Sequence, residues 1–304
     1  MGEDNASQAV SAALSTVGIV GAGFMGSGIA QAAAAAGLSV RVYEPDGRAL
    51  ERSRRRLEES GEQAVRRGRA NADDIDALLG AVRYTSNVED LHDVEIAIEA
   101  APEDLRIKQG IFRELDELLP HAAVIASNTS SVPIAELAAH TKRPDRVLGL
   151  HFFSPVPVMR LVEVVVGLDT SRDAVSAAEA FAHALGKTAI RTKDRAGFVV
   201  NMLLVPYLMA AVRMYEQGFA SREDIDVGMQ LGCGHPMGPL TLCDFIGLDV
   251  LQAVCESLVG EFNSPEYAAP PLLKRMVASG RLGRKSGGGF YEYAQELAAV
   301  GASL

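Results

Sequence analysis

At 304 residues the chain is long enough for two domains, each with its own core, and its 48% hydrophobic and 22% charged residues describe a globular protein. A net charge of −10 excludes a general nucleic-acid binder, and no apolar run reaches membrane-spanning length without a charge or glycine break. Cys233, Cys243 and Cys255 have neither metal-ligand spacing nor the even count of a disulfide framework, so no metal is expected and a reducing cytoplasm is the expected location.

The acidic opening Met1-Gly-Glu-Asp-Asn5 lacks the basic start of a secretory or transit peptide, and residues 1–15 read as a flexible tail. Thr16–Val20 is strand-like, and Phe24–Ala36 is helix-like and closed by Gly37. Between them lies Gly21-Ala-Gly23-Phe24-Met25-Gly26. Gly21 permits a tight turn, Gly23 removes a side chain where a pyrophosphate would approach, and Gly26 lets the helix lie close on the strand. Free N–H groups at the helix start face the anion. A second strand, Leu38–Tyr43, ends in Glu44, 18 positions after the last motif glycine. A carboxylate there accepts from ribose hydroxyls and repels the extra phosphate of NADP, so NAD is the expected cofactor.

Arg48–Arg69 carries seven arginines from Arg52 onward, interleaved with glutamates. It reads either as a solvated helix laced with ion pairs or as a cationic arm for a phosphorylated or acidic partner. A short helix after Asn71-Ala-Asp-Asp74 and strands at Val82–Ser86 and Val94–Glu99 follow. A helix to about Leu119 repeats apolar residues at Ile107, Ile111, Leu115 and Leu118. Ala122–Ala126 is the next buried strand. This alternation predicts a mostly parallel sheet covered on both faces. Ser127-Asn-Thr-Ser-Ser131 sits at a strand's carboxyl end, where α/β sheets bind ligands; Ser131 can also cap the next helix.

Strand Arg146–Leu150 runs into His151-Phe-Phe-Ser154-Pro155-Val-Pro157, whose prolines force a turn before strand Leu161–Val166. If the chain doubles back there, Glu163 comes beside His151. A helix over Ser171–Leu185 and a strand over Lys187–Thr192 complete the domain. From Ala196 the strand patterns stop. We expect a Rossmann-type α/β domain over residues 16–195 and an all-helical domain over 196–304 for substrate binding and dimerisation.

A hydride-transferring site needs a base, a group that orients the base, and donors for the substrate oxygen. His151 is a candidate base and Glu163 its orienting partner. Ser130 and Asn201 are candidate donors, although Asn201 alone also fits a helix-packing amide.

In combination, Gly21-Ala-Gly23-Phe-Met-Gly26, Ser127-Asn-Thr-Ser-Ser131, His151-Phe-Phe, Leu161-Val-Glu163, Gly197-Phe-Val-Val-Asn201, Gly234-His-Pro-Met-Gly-Pro239 and Lys285-Ser-Gly-Gly-Gly-Phe-Tyr291 resemble the L-3-hydroxyacyl-CoA dehydrogenase family, 3-hydroxybutyryl-CoA type, from about Thr16 to Tyr293. The resemblance implies His151 as base, Glu163 as its partner, and Ser130 and Asn201 as substrate donors. It implies Glu44, Glu103, Lys108 and Asn128 as NAD contacts beside the glycine turn, Ser60 and Arg67 as coenzyme A contacts, and a homodimer. One position departs: the family pattern His-Phe-Phe-Asn-Pro has serine here, at Ser154, which bears on the acyl group accepted. The implied substrate is an acyl-CoA thioester. An acyl-carrier-protein thioester of the glyceryl type, used for polyketide extender units, and a catalytically silent NAD-binding relative are the alternatives. No nucleic acid or membrane partner is expected.

Overall fold

The computed structural model describes residues 14–293. The chain divides between Asp194 and Arg195 into two compact units. Most of the expected tail lies outside the described residues. Its last two residues are held: the Glu95 carboxylate accepts from the N–H groups of Ser15 and Thr16, at 2.6 and 3.0 Å, and Leu14 packs against the core.

The first unit is one eight-stranded sheet with helices on its faces. Its strands are β1 (Thr16–Val20), β2 (Ser39–Tyr43), β3 (Val82–Thr85), β4 (Ile96–Glu99), β5 (Val124–Ser127), β6 (Val147–Phe152), β7 (Leu161–Val166) and β8 (Thr188–Lys193), in spatial order β3-β2-β1-β4-β5-β6-β7-β8. The six strands from β3 to β6 run parallel, and β7 pairs antiparallel with β6. The near-continuous apolar stretches of β1, β4, β5 and β6 follow from burial on both faces, whereas the outer β2 and β3 carry exposed polar positions. The connections are α1 (Phe24–Ala35), α2 (Gly47–Arg66), α3 (Ala72–Gly80), α4 (Leu105–Leu118), α5 (Ile134–Ala138) and α6 (Arg172–Ala184). The reversal of strand order between β1 and β4 opens a crevice at the carboxyl ends, where such sheets bind ligands.

Two local expectations fail for the same reason. The α4 periodicity points to Ile107, Ile111, Leu115 and Leu118 as the inner face; the structure buries Lys108, Phe112, Leu115 and Asp116 and leaves Ile107 exposed. Lys108 and Asp116 turn inward because each finds a charged partner, Glu99 and Arg143, without which burial of the charge would be prohibitive. Ser131 is not the cap of α5. Its first N–H groups, of Ile134 and Ala135, donate to the Asp194 carboxylate, both at 2.8 Å, from 60 and 59 residues away.

The second unit is built from α7 (Val200–Glu216), α8 (Arg222–Cys233), α9 (Pro239–Ile246), α10 (Leu248–Phe262) and α11 (Pro271–Ala278) around a separate core that includes Leu208, Met209, Leu240 and Leu251. Two buried aspartates fasten it. Asp226 accepts from the N–H groups of Leu240 and Thr241, the Thr241 hydroxyl and the Tyr291 hydroxyl. Asp244 accepts from the N–H groups of Phe290 and Tyr291 and from the Tyr293 hydroxyl. A Cβ at Gly289 would fall 1.9 Å from Asp244 Oδ1, which explains the glycine directly before Phe290. Among the described residues no helix is long and apolar enough to cross a membrane.

Candidate active site

The glycine turn has the shape that a dinucleotide requires. Gly21 adopts φ +106°, and a Cβ there would meet the Ala100 carbonyl oxygen at 2.7 Å. A Cβ on Gly26 would lie 1.9 Å from the Gly21 oxygen, so helix and turn touch backbone to backbone. Gly23 is the opposite case: a Cβ there would meet nothing within 4 Å. That open side lies at the start of α1, whose N-cap, Gly23, provides no side-chain acceptor. Unsatisfied N–H groups beside an open face suit a pyrophosphate. Phe24 and Met25 form the first helical turn. Glu44 follows β2 at the same edge, and its carboxylate accepts from the N–H of Ala22 at 3.2 Å and of Asp46 at 3.1 Å. The residues present therefore fit a dinucleotide with unphosphorylated ribose hydroxyls.

Further along the edge, β4 and β5 end in Glu99 and Ser127, joined at 2.5 Å. Lys108, only 1% exposed, places its ammonium 2.7 Å from Glu99 and 3.0 Å from Glu103. Glu103 in turn accepts from the Thr129 hydroxyl, the Ser130 N–H and the Ser131 hydroxyl. Burial alone would raise the Glu103 carboxyl, but the Lys108 charge and these hydrogen bonds hold it below the usual range. Asn128 accepts from the Phe152 N–H at 2.9 Å, tying the loop after β5 to the residue beside His151.

His151 is the penultimate residue of β6 and not part of the loop beyond it. The antiparallel register sets it opposite Glu163. Nδ1 lies 2.7 Å from Glu163 Oε2, with His151 7% exposed and Glu163 fully buried. A carboxylate partner assigns the proton to Nδ1 and the lone pair to Nε2. The Phe153 ring meets the imidazole edge-on, with centroids 4.7 Å apart. Ser154 is exposed at the start of the following turn. That turn is gripped by the buried Lys187 ammonium, which donates to the carbonyls of Val156 and Met159; burial pushes this amine below its ordinary range.

Three comparisons with known proteins agree with this fold. The sequence profile of the 3-hydroxyacyl-CoA dehydrogenase NAD binding domain matches residues 16–195, and that of the C-terminal domain of the same family matches residues 197–293. The chain belongs to the 3-hydroxyacyl-CoA dehydrogenase family. It is 50% identical over 286 residues to a 3-hydroxybutyryl-CoA dehydrogenase of Mycobacterium tuberculosis, covering 93% of this chain and 100% of that protein. It is 39% identical to the human mitochondrial hydroxyacyl-coenzyme A dehydrogenase, over 91% of this chain and 90% of that one. The crystal structure of (S)-3-hydroxybutyryl-CoA dehydrogenase from Ralstonia eutropha is similar at TM-score 0.88 and 44% identity, covering 92% of this chain and 99% of that one.

Within this 3-hydroxyacyl-CoA dehydrogenase chain the remaining expected residues lie on helices. Ser60, in α2, accepts from the Gln31 amide at 2.7 Å. Arg67 is exposed at the end of α2, whose arginines partly pair with their own helix, Arg55 with Glu51 and Arg66 with Glu62. Asn201 stands in the first turn of α7, in the second unit. Glu99 was not among the residues expected from sequence. An acidic residue closing an apolar strand, followed by a lysine nine positions on, is the signal that would have pointed to it.

Proposed function

We propose that this chain is an NAD-dependent dehydrogenase that interconverts an L-3-hydroxyacyl-CoA thioester of the 3-hydroxybutyryl type and the 3-oxoacyl thioester. The reading rests chiefly on the 2.7 Å pairing of His151 with Glu163, at the same strand-end edge as the glycine turn. The relatives' names supply the substrate class. Gly21, Gly23, Phe24, Met25, Gly26 and Glu44 hold NAD, with Glu103, Lys108 and Asn128 as further contacts. NAD, when bound, supplies the acceptor for the hydride that leaves C3.

His151 Nε2 takes the hydroxyl proton from the substrate. Glu163 keeps the imidazole in the tautomer that can do so and steadies the imidazolium afterwards. Ser130 and Asn201 donate to the substrate oxygen, and in the reverse direction His151 returns the proton. Ser60 and Arg67 hold the coenzyme A portion. The helical unit carries substrate and dimer contacts; its exposed Leu203, Phe219 and Leu231 support a homodimer. The unpaired Cys233, Cys243 and Cys255 support a cytoplasmic location.

The exposed Ser154 favours one second reading, a more polar acyl group carried on an acyl carrier protein with α2 as its docking surface. NADH appearance measured side by side with 3-hydroxybutyryl-CoA and a glyceryl carrier protein separates the two. The coenzyme A thioester is expected to show the higher kcat/KM by about tenfold or more. The opposite order would replace the substrate, and turnover of neither would leave a silent NAD-binding relative.

A further inference from the structure

We infer that Glu99 is a positioning residue: acting through Ser127, it fixes the loop that carries Ser130. The inference rests on the reading of Ser130 as a substrate donor. Glu99 is fully buried and serves three separate pieces of chain. Oε1 accepts from the Lys108 ammonium of α4 and from the Ala101 N–H, both at 2.7 Å. Oε2 accepts from the Ser127 hydroxyl at 2.5 Å. The Ser127 oxygen then accepts from the Thr129 N–H at 3.1 Å.

The other end of the loop returns to the same cluster. The Thr129 hydroxyl, Ser130 N–H and Ser131 hydroxyl converge on Glu103 Oε1, while Glu103 Oε2 meets Lys108. Glu99, Lys108, Glu103, Thr129 and Ser127 thus close a ring of hydrogen bonds and ion pairs, with Ser130 carried on its rim. Thr129 Oγ1 also accepts from the N–H groups of Ser131 and Val132, so the backbone on both sides of Ser130 is fixed. A donor held in this way is already oriented before substrate arrives, which is where orientation contributes most to rate. Glu99 also shapes the turn whose Ala100 carbonyl abuts Gly21, so one buried carboxylate supports both the loop and the wall of the glycine turn.

Ser127→Ala is the cleanest probe, because it cuts the link to the loop and leaves Glu99 with Lys108 and Ala101. Three readouts are taken: steady-state turnover of 3-hydroxybutyryl-CoA, NADH affinity by fluorescence titration without substrate, and amide hydrogen exchange. The expected result is a kcat on the order of tenfold to a hundredfold lower, an NADH affinity weakened much less than kcat, since of the loop only Asn128 is read as a cofactor contact, and faster exchange in residues 128–132. In the Glu99→Gln background the same substitution should add little, since both act on one bond. Unchanged kcat with unchanged exchange would overturn the inference. So would NADH affinity falling as far as kcat, which would make the loop a holder of the cofactor and not of the substrate donor. Wild-type protein without thioester turnover, but with the exchange effect intact, would sink the functional reading and leave the anchoring standing.

Discussion

Both units bury carboxylates, but they use them differently. In the first, Glu163 meets a titratable imidazole at a strand end, and Glu99 and Glu103 share one lysine beneath a hydroxyl-rich loop. In the second, Asp226 and Asp244 are occupied by backbone N–H groups and by tyrosine and threonine hydroxyls, donors that do not ionise in the working pH range. Burial raises the Asp244 carboxyl against the lowering effect of those bonds, and it pushes Tyr291 and Tyr293 well above the ordinary phenol range. A buried acid paired with a group that can take up a proton is equipped for chemistry. A buried acid saturated by amides is a fastener.

The contrast can be broken at its strongest point first. His151→Gln should lower kcat by about a thousandfold, within the usual worth of a positioned base, while NADH binding by fluorescence stays at the wild-type value. Retained turnover would remove His151 as the base and erase the distinction between the units. Asp226→Ala should instead act on stability: it strands four donors around α9 and should cost ~3 kcal/mol in denaturant unfolding, with NADH affinity of the remaining folded protein unchanged. If that variant unfolds no more easily, Asp226 is not a fastener. The smallest expected change is at Glu44, whose loss to alanine should weaken NAD binding by about tenfold and narrow its preference over NADP. An unaltered NAD/NADP ratio in side-by-side titrations would mean that the carboxylate serves only its bonds to Ala22 and Asp46.

Much of the first unit was legible because its signals are local. The glycine spacing, the apolar strands and the proline turn each depend on neighbours within a few residues, and two apolar strands adjacent in the chain set His151 against Glu163 by register. What was hidden depends on partners distant in sequence. The burial of Lys108 depends on Glu99 beside it, and that of Asp116 on Arg143, 27 residues away. Asp194 caps α5 across 60 residues, where a nearby serine looked sufficient. Asp226 and Asp244 sit in ordinary amphipathic helices, and their partners lie 14 to 65 residues further on. Gly289 makes room for the Asp244 carboxylate, a need that nothing in its neighbours announces.

The backbone contact between Gly21 and Gly26 also limits how the protein can be re-engineered. With 1.9 Å between a would-be methyl and a carbonyl oxygen, even alanine at position 26 has nowhere to go without lifting the first helix from its strand. A redesign aimed at a phosphorylated cofactor must therefore leave that bend as a fixed chassis and work at the end of the second strand, where the Glu44 carboxylate takes the N–H groups of Ala22 and Asp46 and a cationic replacement would release both.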